Sequence, residues 1–353
     1  MRPLKKVINL AALKHNWSSL AAASGTAEMV AVVKANAYGH DVKTVATALM
    51  PKMYAVASIE EALALRELGV KTPVMLLEGV FTADELSVCA AQGFQPVIHN
   101  AEQLSWLKTL IMPLKAWVKI DSGMHRLGFP AEQSSISQTS ALPHIEWQGI
   151  VSHFACADEP DLTYAQQQLA ALNALSLPPH WQRSFANSAA IFSLPDARAE
   201  WTRPGVLLYG LSPFPNQTAA DLGLQAVMTL ETQILAIRYI KRGENAGYGQ
   251  GFQAKEDGYL ATIALGYGDG FNRSIESGKV HVRIGENVYP LVGRIAMDMS
   301  LVWLGKHVFS VGERVVIFGE EYPAEKLAQQ ANTIPYTLTT MLTPRVRLEV
   351  ING

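Results

Sequence analysis

From Met29 onward, short apolar runs alternate with amphipathic stretches along the chain. The runs Met29–Val33, Tyr54–Ala57, Pro73–Leu77, Gln95–Ile98, Ala116–Ile120, Gln148–His153, Ser184–Asn187 and Val206–Tyr209 read as buried parallel strands. Between them, Val42–Leu49, Ile59–Leu68, Ala83–Ala91, Ala101–Leu110 and Tyr164–Leu175 read as helices. In Ile59–Leu68 the residues Ile59, Ala62, Leu65 and Leu68 make an apolar stripe, yet Glu61 and Arg66 fall on or beside it. Eight strands alternating with helices predict an α/β fold of the (β/α)8 TIM-like barrel type. A doubly wound open sheet is the alternative, but the Gly-rich fingerprint expected after its first strand is missing.

After about residue 225 the helical pattern gives way to short alternating runs punctuated by glycine. These are Leu230–Tyr239, Tyr259–Leu265, Lys279–Ile284, Val288–Val292, Met299–Trp303 and Glu313–Ile317, with a helix around Ala324–Gln330. The expected organisation is a barrel in residues 1–225, with a short N-terminal segment from the β-domain side, and a mostly β domain in residues 226–353. Residues 211–226, with Pro213 and Pro215, are the expected connection. A chain of 353 residues exceeds the usual single core, in keeping with two domains.

Composition narrows the partners. A net charge of −2 gives no electrostatic reason to expect nucleic acid or an anionic membrane. Two cysteines, Cys89 and Cys156, are too few for a disulfide framework and suit a reducing compartment. The apolar stretch after the basic N-terminus is broken by Lys14 and His15, so neither signal peptide nor membrane span is expected, and the cytoplasm is the expected location.

A barrel gathers its active-site groups just after the C-terminal ends of its strands. That is where the unusual side chains fall: Lys34 and Tyr38 after the first strand, Glu78 after the third, Lys119, Asp121, His125 and Arg126 at the fifth, His153 and Asp158 at the sixth, Asn187 and Ser188 at the seventh. Lys34 ends the run Met29–Val33; a lysine there is either a nucleophile for a carbonyl or an amine snorkelling out of a strand end. In the second domain, Gly266-Tyr267-Gly268-Asp269-Gly270 presents a phenol on a sharp turn, which an ordinary exposed tyrosine would also explain. Gly293-Arg294-Ile295-Ala296-Met297-Asp298 follows another apolar run, and its methionine alone would read as core filler.

Together these segments resemble alanine racemase, a pyridoxal-phosphate enzyme with a barrel followed by a β domain. The segments are Val32–His40, Lys119–Arg126, Ser152–Ala155, Arg203-Pro204-Gly205, Gly266–Gly270 and Gly293–Asp298, in the family's order and spanning nearly the whole chain. The resemblance implies that Lys34 forms a Schiff base with pyridoxal 5′-phosphate and handles the α-proton of D-alanine, while Tyr267 handles that of L-alanine. It implies that His153, supported by a neighbouring arginine, assists the phenol, and that Arg203 faces the pyridine nitrogen. Tyr38, Ser188 and the N–H groups of Gly205 and Val206 would anchor the phosphate. Arg126 would hold the substrate carboxylate, and Met297 and Asp298 would complete the substrate end. A carbamate on Lys119 is expected by the same resemblance; no metal is. A homodimer is implied, with Tyr267 and Met297 reaching the barrel mouth of the other subunit.

The implied reaction interconverts L- and D-alanine, for peptidoglycan supply or alanine catabolism. A racemase of broader range and a pyridoxal-phosphate carrier without turnover are the alternatives; the second domain weighs against the carrier. Decarboxylases of similar build need a cysteine in the second domain, and none follows Cys156. One departure stands out. Some relatives carry a tyrosine before an Arg-Val pair near the C-terminus, where this chain has Pro344 before Arg345-Val346. Proline brings neither hydroxyl nor N–H, so a phosphate contact cannot be made from there.

Overall fold

A computed structural model describes residues 1–142 and 144–353. The chain packs as two compact units, one comprising residues 16–208 and 213–216, the other residues 1–15, 209–212 and 217–353.

The first unit is a sheet of parallel strands: β1 (Glu28–Val32), β2 (Met53–Val56), β3 (Val74–Leu76), β4 (Phe94–Ile98), β5 (Leu114–Asp121), β6 (Ile145–Val151), β7 (Gln182–Ser184) and β8 (Trp201–Thr202). β8 pairs with β1, and the remaining strands pair in chain order. Past the end of β7, a parallel bridge between Asn187 and Arg203 joins the two edges into a barrel. Alternate strand residues fill the interior: Val30 and Val32 of β1, Met53 and Ala55 of β2, Met75, Val97, Trp117 and Val151. Each of the valines and methionines among them stabilises the fold by about 1.5–3 kcal/mol. Trp117 keeps its indole N–H satisfied on Gln95 Oε1 at 2.8 Å. Tyr38 packs against this cluster and forms part of the floor of the barrel mouth.

Two expected strands take a different form. Val206–Tyr209, predicted as the eighth strand, is a fully buried 3-10 turn closed by a hydrogen bond from Leu208 N–H to Gly205 C=O. Burial on all sides explains its apolar run; the eighth strand is the two-residue Trp201–Thr202, too short to leave a periodic signal. Strand β7 ends at Ser184 because Asn187 caps the next helix, Ser188–Ser193, by accepting from the Ala190 N–H.

The second unit is built on an antiparallel sheet in which Met228–Ile240 is the longest strand. That strand pairs with both Arg314–Phe318 and Gly258–Ile263, curling the sheet back on itself. The N-terminal strand Lys5–Asn9 joins the same sheet, antiparallel to Met228–Ile240 and parallel to Arg347–Ile351. The predicted helix Ala324–Gln330 is present with those bounds. No helix among the described residues is long and apolar enough to cross a membrane.

Candidate active site

Lys34 follows β1 and opens a turn that the apolar pattern does not foretell. Ala35, Asn36, Ala37 and Tyr38 have φ of 52°, 52°, 56° and 52°, a full turn of left-handed helix. Each such non-glycine residue costs about 1 kcal/mol or more, so surrounding contacts must impose the conformation. Among the described residues, Lys34 Nζ has no hydrogen-bond or ion-pair partner. Burial lowers its pKa, Arg126 and Arg203 act in the same sense, and Glu78 and Glu61 oppose them. The amine is thereby pushed toward the neutral form that a nucleophile or base requires.

Arg203 lies in the wall of the same mouth, with only 5% of its surface exposed. Nη1 donates to Ser184 C=O and, at 2.8 Å, to Ser184 Oγ, while Nη2 donates to Ser152 C=O at 2.5 Å and Phe185 C=O at 3.4 Å. These acceptors at the ends of β6 and β7 are what make a buried guanidinium tolerable. Burial lowers its pKa to about 10, which leaves it charged at neutral pH. Among the described residues its Nε–H makes no hydrogen bond.

His153 Nδ1 is 3.4 Å from Arg203 Nη2, and His153 Nε2 is 3.3 Å from Asn187 Nδ2. Arginine only donates, and Asn187 Oδ1 is taken by the Ala190 N–H, so donors face the ring at both nitrogens. Burial and then the nearby cations, Arg203 foremost, hold its pKa well below the ordinary value, and the ring is neutral. Lys119 shares the cationic cluster: burial, Arg203 and Arg126 drive its pKa well below normal, against Asp121. Asp121 itself resists burial through the N–H groups of Gly123 and His125, at 2.9 and 3.1 Å, which keep it ionised and hold the loop that carries Arg126.

The residues expected to grip a phosphate also converge. Ser188 Oγ accepts from the Gly205 N–H at 2.8 Å and more weakly from the Leu207 N–H at 3.5 Å. Its own proton donates to nothing among the described residues. A Cβ on Gly205 would come within 2.5 Å of the Tyr38 hydroxyl, so only glycine admits that approach. Burial raises the Tyr38 pKa to about 12, which keeps the phenol protonated as a donor. Val206, next to Gly205, begins the buried 3-10 turn. A buried hydroxyl proton, a protonated phenol and a free guanidinium N–H suit a phosphorylated heterocycle such as pyridoxal phosphate.

In the second unit, the two glycine-rich segments are clasped together. Tyr267 N–H donates to Ala296 C=O at 3.0 Å and Gly268 N–H to Met297 C=O at 2.9 Å. A Cβ on Gly266 would lie 2.2 Å from Met297 O, which explains the first glycine. The fully buried Asp269 carboxylate accepts from Gly266 N–H and pairs with Arg2 and Arg345. Asp298, expected at the substrate end, has its carboxylate paired with Arg345 and its carbonyl bonded to Arg2. Tyr267, Met297, Met299 and Met341 are 38–52% exposed. The pattern of apolar positions gave no notice of Arg2, Asp269 and Arg345 as a clamp; the only cue was an aspartate inside a glycine-rich turn. No group of three or more His, Cys, Asp or Glu able to hold a metal is present among the described residues.

Solved structures similar to this one include isomerases. The crystal structure of the biosynthetic alanine racemase of Pseudomonas aeruginosa superposes with a TM-score of 0.93 at 37% identity, covering 99% of each chain. That of Bartonella henselae, with covalently bound pyridoxal phosphate, gives 0.89 at 31% identity over 99% of this chain and 100% of that one. Residues 8–213 match the family model for the alanine racemase N-terminal domain, and residues 227–350 that for the C-terminal domain. Alanine racemase of Dichelobacter nodosus is 54% identical, with both chains covered in full, and that of Aeromonas hydrophila is 44% identical over 98% of each. The chain belongs to the alanine racemase family, isomerases that interconvert L- and D-alanine.

Proposed function

We propose that the barrel of residues 1–225 holds pyridoxal 5′-phosphate and that two bases, on opposite faces of the substrate, exchange the α-proton of alanine. Lys34 serves the D face and Tyr267 of a second subunit the L face. The observation that carries this is the unpartnered, half-buried Lys34 amine with a lowered pKa beside Arg203 and Arg126. When bound, the cofactor supplies an electron-withdrawing ring that takes up the charge left by the departing proton.

The chain's residues do the rest. Lys34 Nζ would hold the cofactor and, once displaced by substrate, act as a base. Tyr38, Ser188 and the backbone at Gly205 and Val206 would hold the phosphate. The Arg203 Nε–H would be the donor for the ring nitrogen, and a group that keeps its own proton would leave that nitrogen unprotonated. His153, the neutral ring beside Arg203, would offer a hydrogen bond that favours a phenolate at Tyr267. A phenol with an ordinary pKa of about 10 needs such help to act near neutrality. Arg126 would hold the substrate carboxylate. Because the Asp298 carboxylate is paired with Arg345, the backbone N–H of Met297 is the group that segment has to offer.

Two cations, Lys119 and Arg126, would repel one another across the mouth. A neutral Lys119 amine can add to carbon dioxide, forming an N–C bond and losing a proton, and the resulting carbamate would face Arg126 and Arg203 as an anion. The second-unit face around Tyr267, Met297, Met299 and Met341 is apolar enough to seek a partner, which supports a homodimer. The free cysteines Cys89 and Cys156 suit the cytoplasm, where D-alanine would enter peptidoglycan or be returned to L-alanine for catabolism.

The test is to purify the protein, look for the absorbance of a lysine-bound cofactor, and follow solvent deuterium into Cα of each alanine enantiomer. A coloured protein that labels both enantiomers is expected. A colourless protein that labels neither with excess cofactor would overturn the reading.

A further inference from the structure

Glu61 is a charged residue on the apolar stripe of its helix, Ile59–Glu67, and the proposed chemistry does not use it. Arg66, the other intruder on that stripe, is spent on the carbonyls of Val70, Thr72 and Gln92. The Glu61 carboxylate instead reaches in two directions. Oε1 accepts from the Ala35 N–H at 2.7 Å, and Oε2 accepts from the Ala57 N–H at 2.8 Å. Ala35 is the first left-handed residue after Lys34, and Ala57 follows the last residue of β2. One side chain therefore ties the strained turn to the neighbouring strand end.

The hydrogen bonds of Ala37 N–H to Val33 C=O, Gly39 N–H to Ala35 C=O and Val42 N–H to Asn36 Oδ1 lie within the segment itself. They close the turn but do not fix where it points. Glu61 ties the turn to an element outside it, and the geometry calls for a carboxylate: two N–H donors need one oxygen each, and a carboxamide has a single acceptor oxygen. The same carboxylate faces Lys34 along with Glu78, against Arg126 and Arg203.

We propose that Glu61 is a positioning residue that locks the left-handed turn to the end of β2, keeping Lys34 Nζ and the Tyr38 hydroxyl aimed into the barrel mouth. This rests on the reading of Lys34 as the cofactor lysine.

The test compares wild type with Glu61→Gln after removal of cofactor. Each is titrated with pyridoxal 5′-phosphate across a range of pH, reduced with borohydride, and mapped for the labelled lysine. Wild type is labelled at Lys34. Glu61→Gln, folded by circular dichroism, binds the cofactor roughly tenfold more weakly, the scale of one lost charged hydrogen bond. Its midpoint for capture shifts to lower pH because one of the two carboxylates facing Lys34 is gone. Equal affinity and an equal midpoint in the folded variant would overturn the proposal, whereas wild type unlabelled at Lys34 would overturn the cofactor-lysine reading instead. Should Glu61→Gln fail to fold, amide hydrogen exchange in wild type decides: protection of both Ala35 and Ala57 N–H supports the tie, and exchange of either at open-loop rates contradicts it.

Discussion

Arg203 Nη2 stands 3.4 Å from His153 Nδ1, so a guanidinium held by strand-end carbonyls also presents its N–H and its charge to the histidine ring. Burial and that neighbouring charge keep His153 neutral rather than a cation. The contact also ties the histidine's chemistry to the burial of its neighbour.

That neutrality has a cost in acid. Unfolded, His153 takes up a proton below its ordinary pKa of 6.5; folded, with its pKa held well below that value, it does not. The unfolded chain then binds more protons, so stability falls as pH drops below 6.5, by about 1.4 kcal/mol per pH unit from this group until the folded pKa is reached. His153→Asn removes the contribution. Denaturant unfolding of both proteins from pH 6.5 downward should show the wild type losing stability more steeply.

Gly205→Ala places a methyl group 2.5 Å from the Tyr38 hydroxyl, and the phenol must move. A cost of about 1–3 kcal/mol in stability is expected for such overpacking, with weaker retention of pyridoxal 5′-phosphate. Thermal unfolding and equilibrium dialysis of the cofactor measure the two effects separately.

Much of this site could be read from residue pattern because barrel strands announce themselves as apolar runs and their ends mark the mouth. Lys34, Tyr38, Lys119, Arg126, His153 and Ser188 were placed that way. Two features were hidden for physical reasons. Val206–Tyr209 is as apolar as a strand because it is buried on all sides, and hydropathy registers burial rather than hydrogen-bond pattern. The left-handed turn after Lys34 is not foretold by its own residues: alanine does not favour that region, and the carboxylate bonded to it, Glu61, lies in the helix beyond β2. Its place on an apolar stripe was the visible trace of that long-range bond.

Lys119, driven toward its neutral form, is expected to take up carbon dioxide. A carbon-13 carbamate resonance should appear with labelled bicarbonate and be absent from Lys119→Arg, whose side chain stays protonated. A wild-type spectrum without that resonance would remove the carbamate and leave Arg126 facing an amine.

The two-base arrangement is tested most directly by Tyr267→Phe, which removes one hydroxyl from a glycine-flanked turn and leaves the backbone clasp to Ala296 and Met297 in place. Single-turnover incorporation of solvent deuterium at Cα should fall by about 10²–10⁴ starting from L-alanine and persist starting from D-alanine, where Lys34 takes the proton. Equal loss from both enantiomers would contradict the assignment of one base to each face.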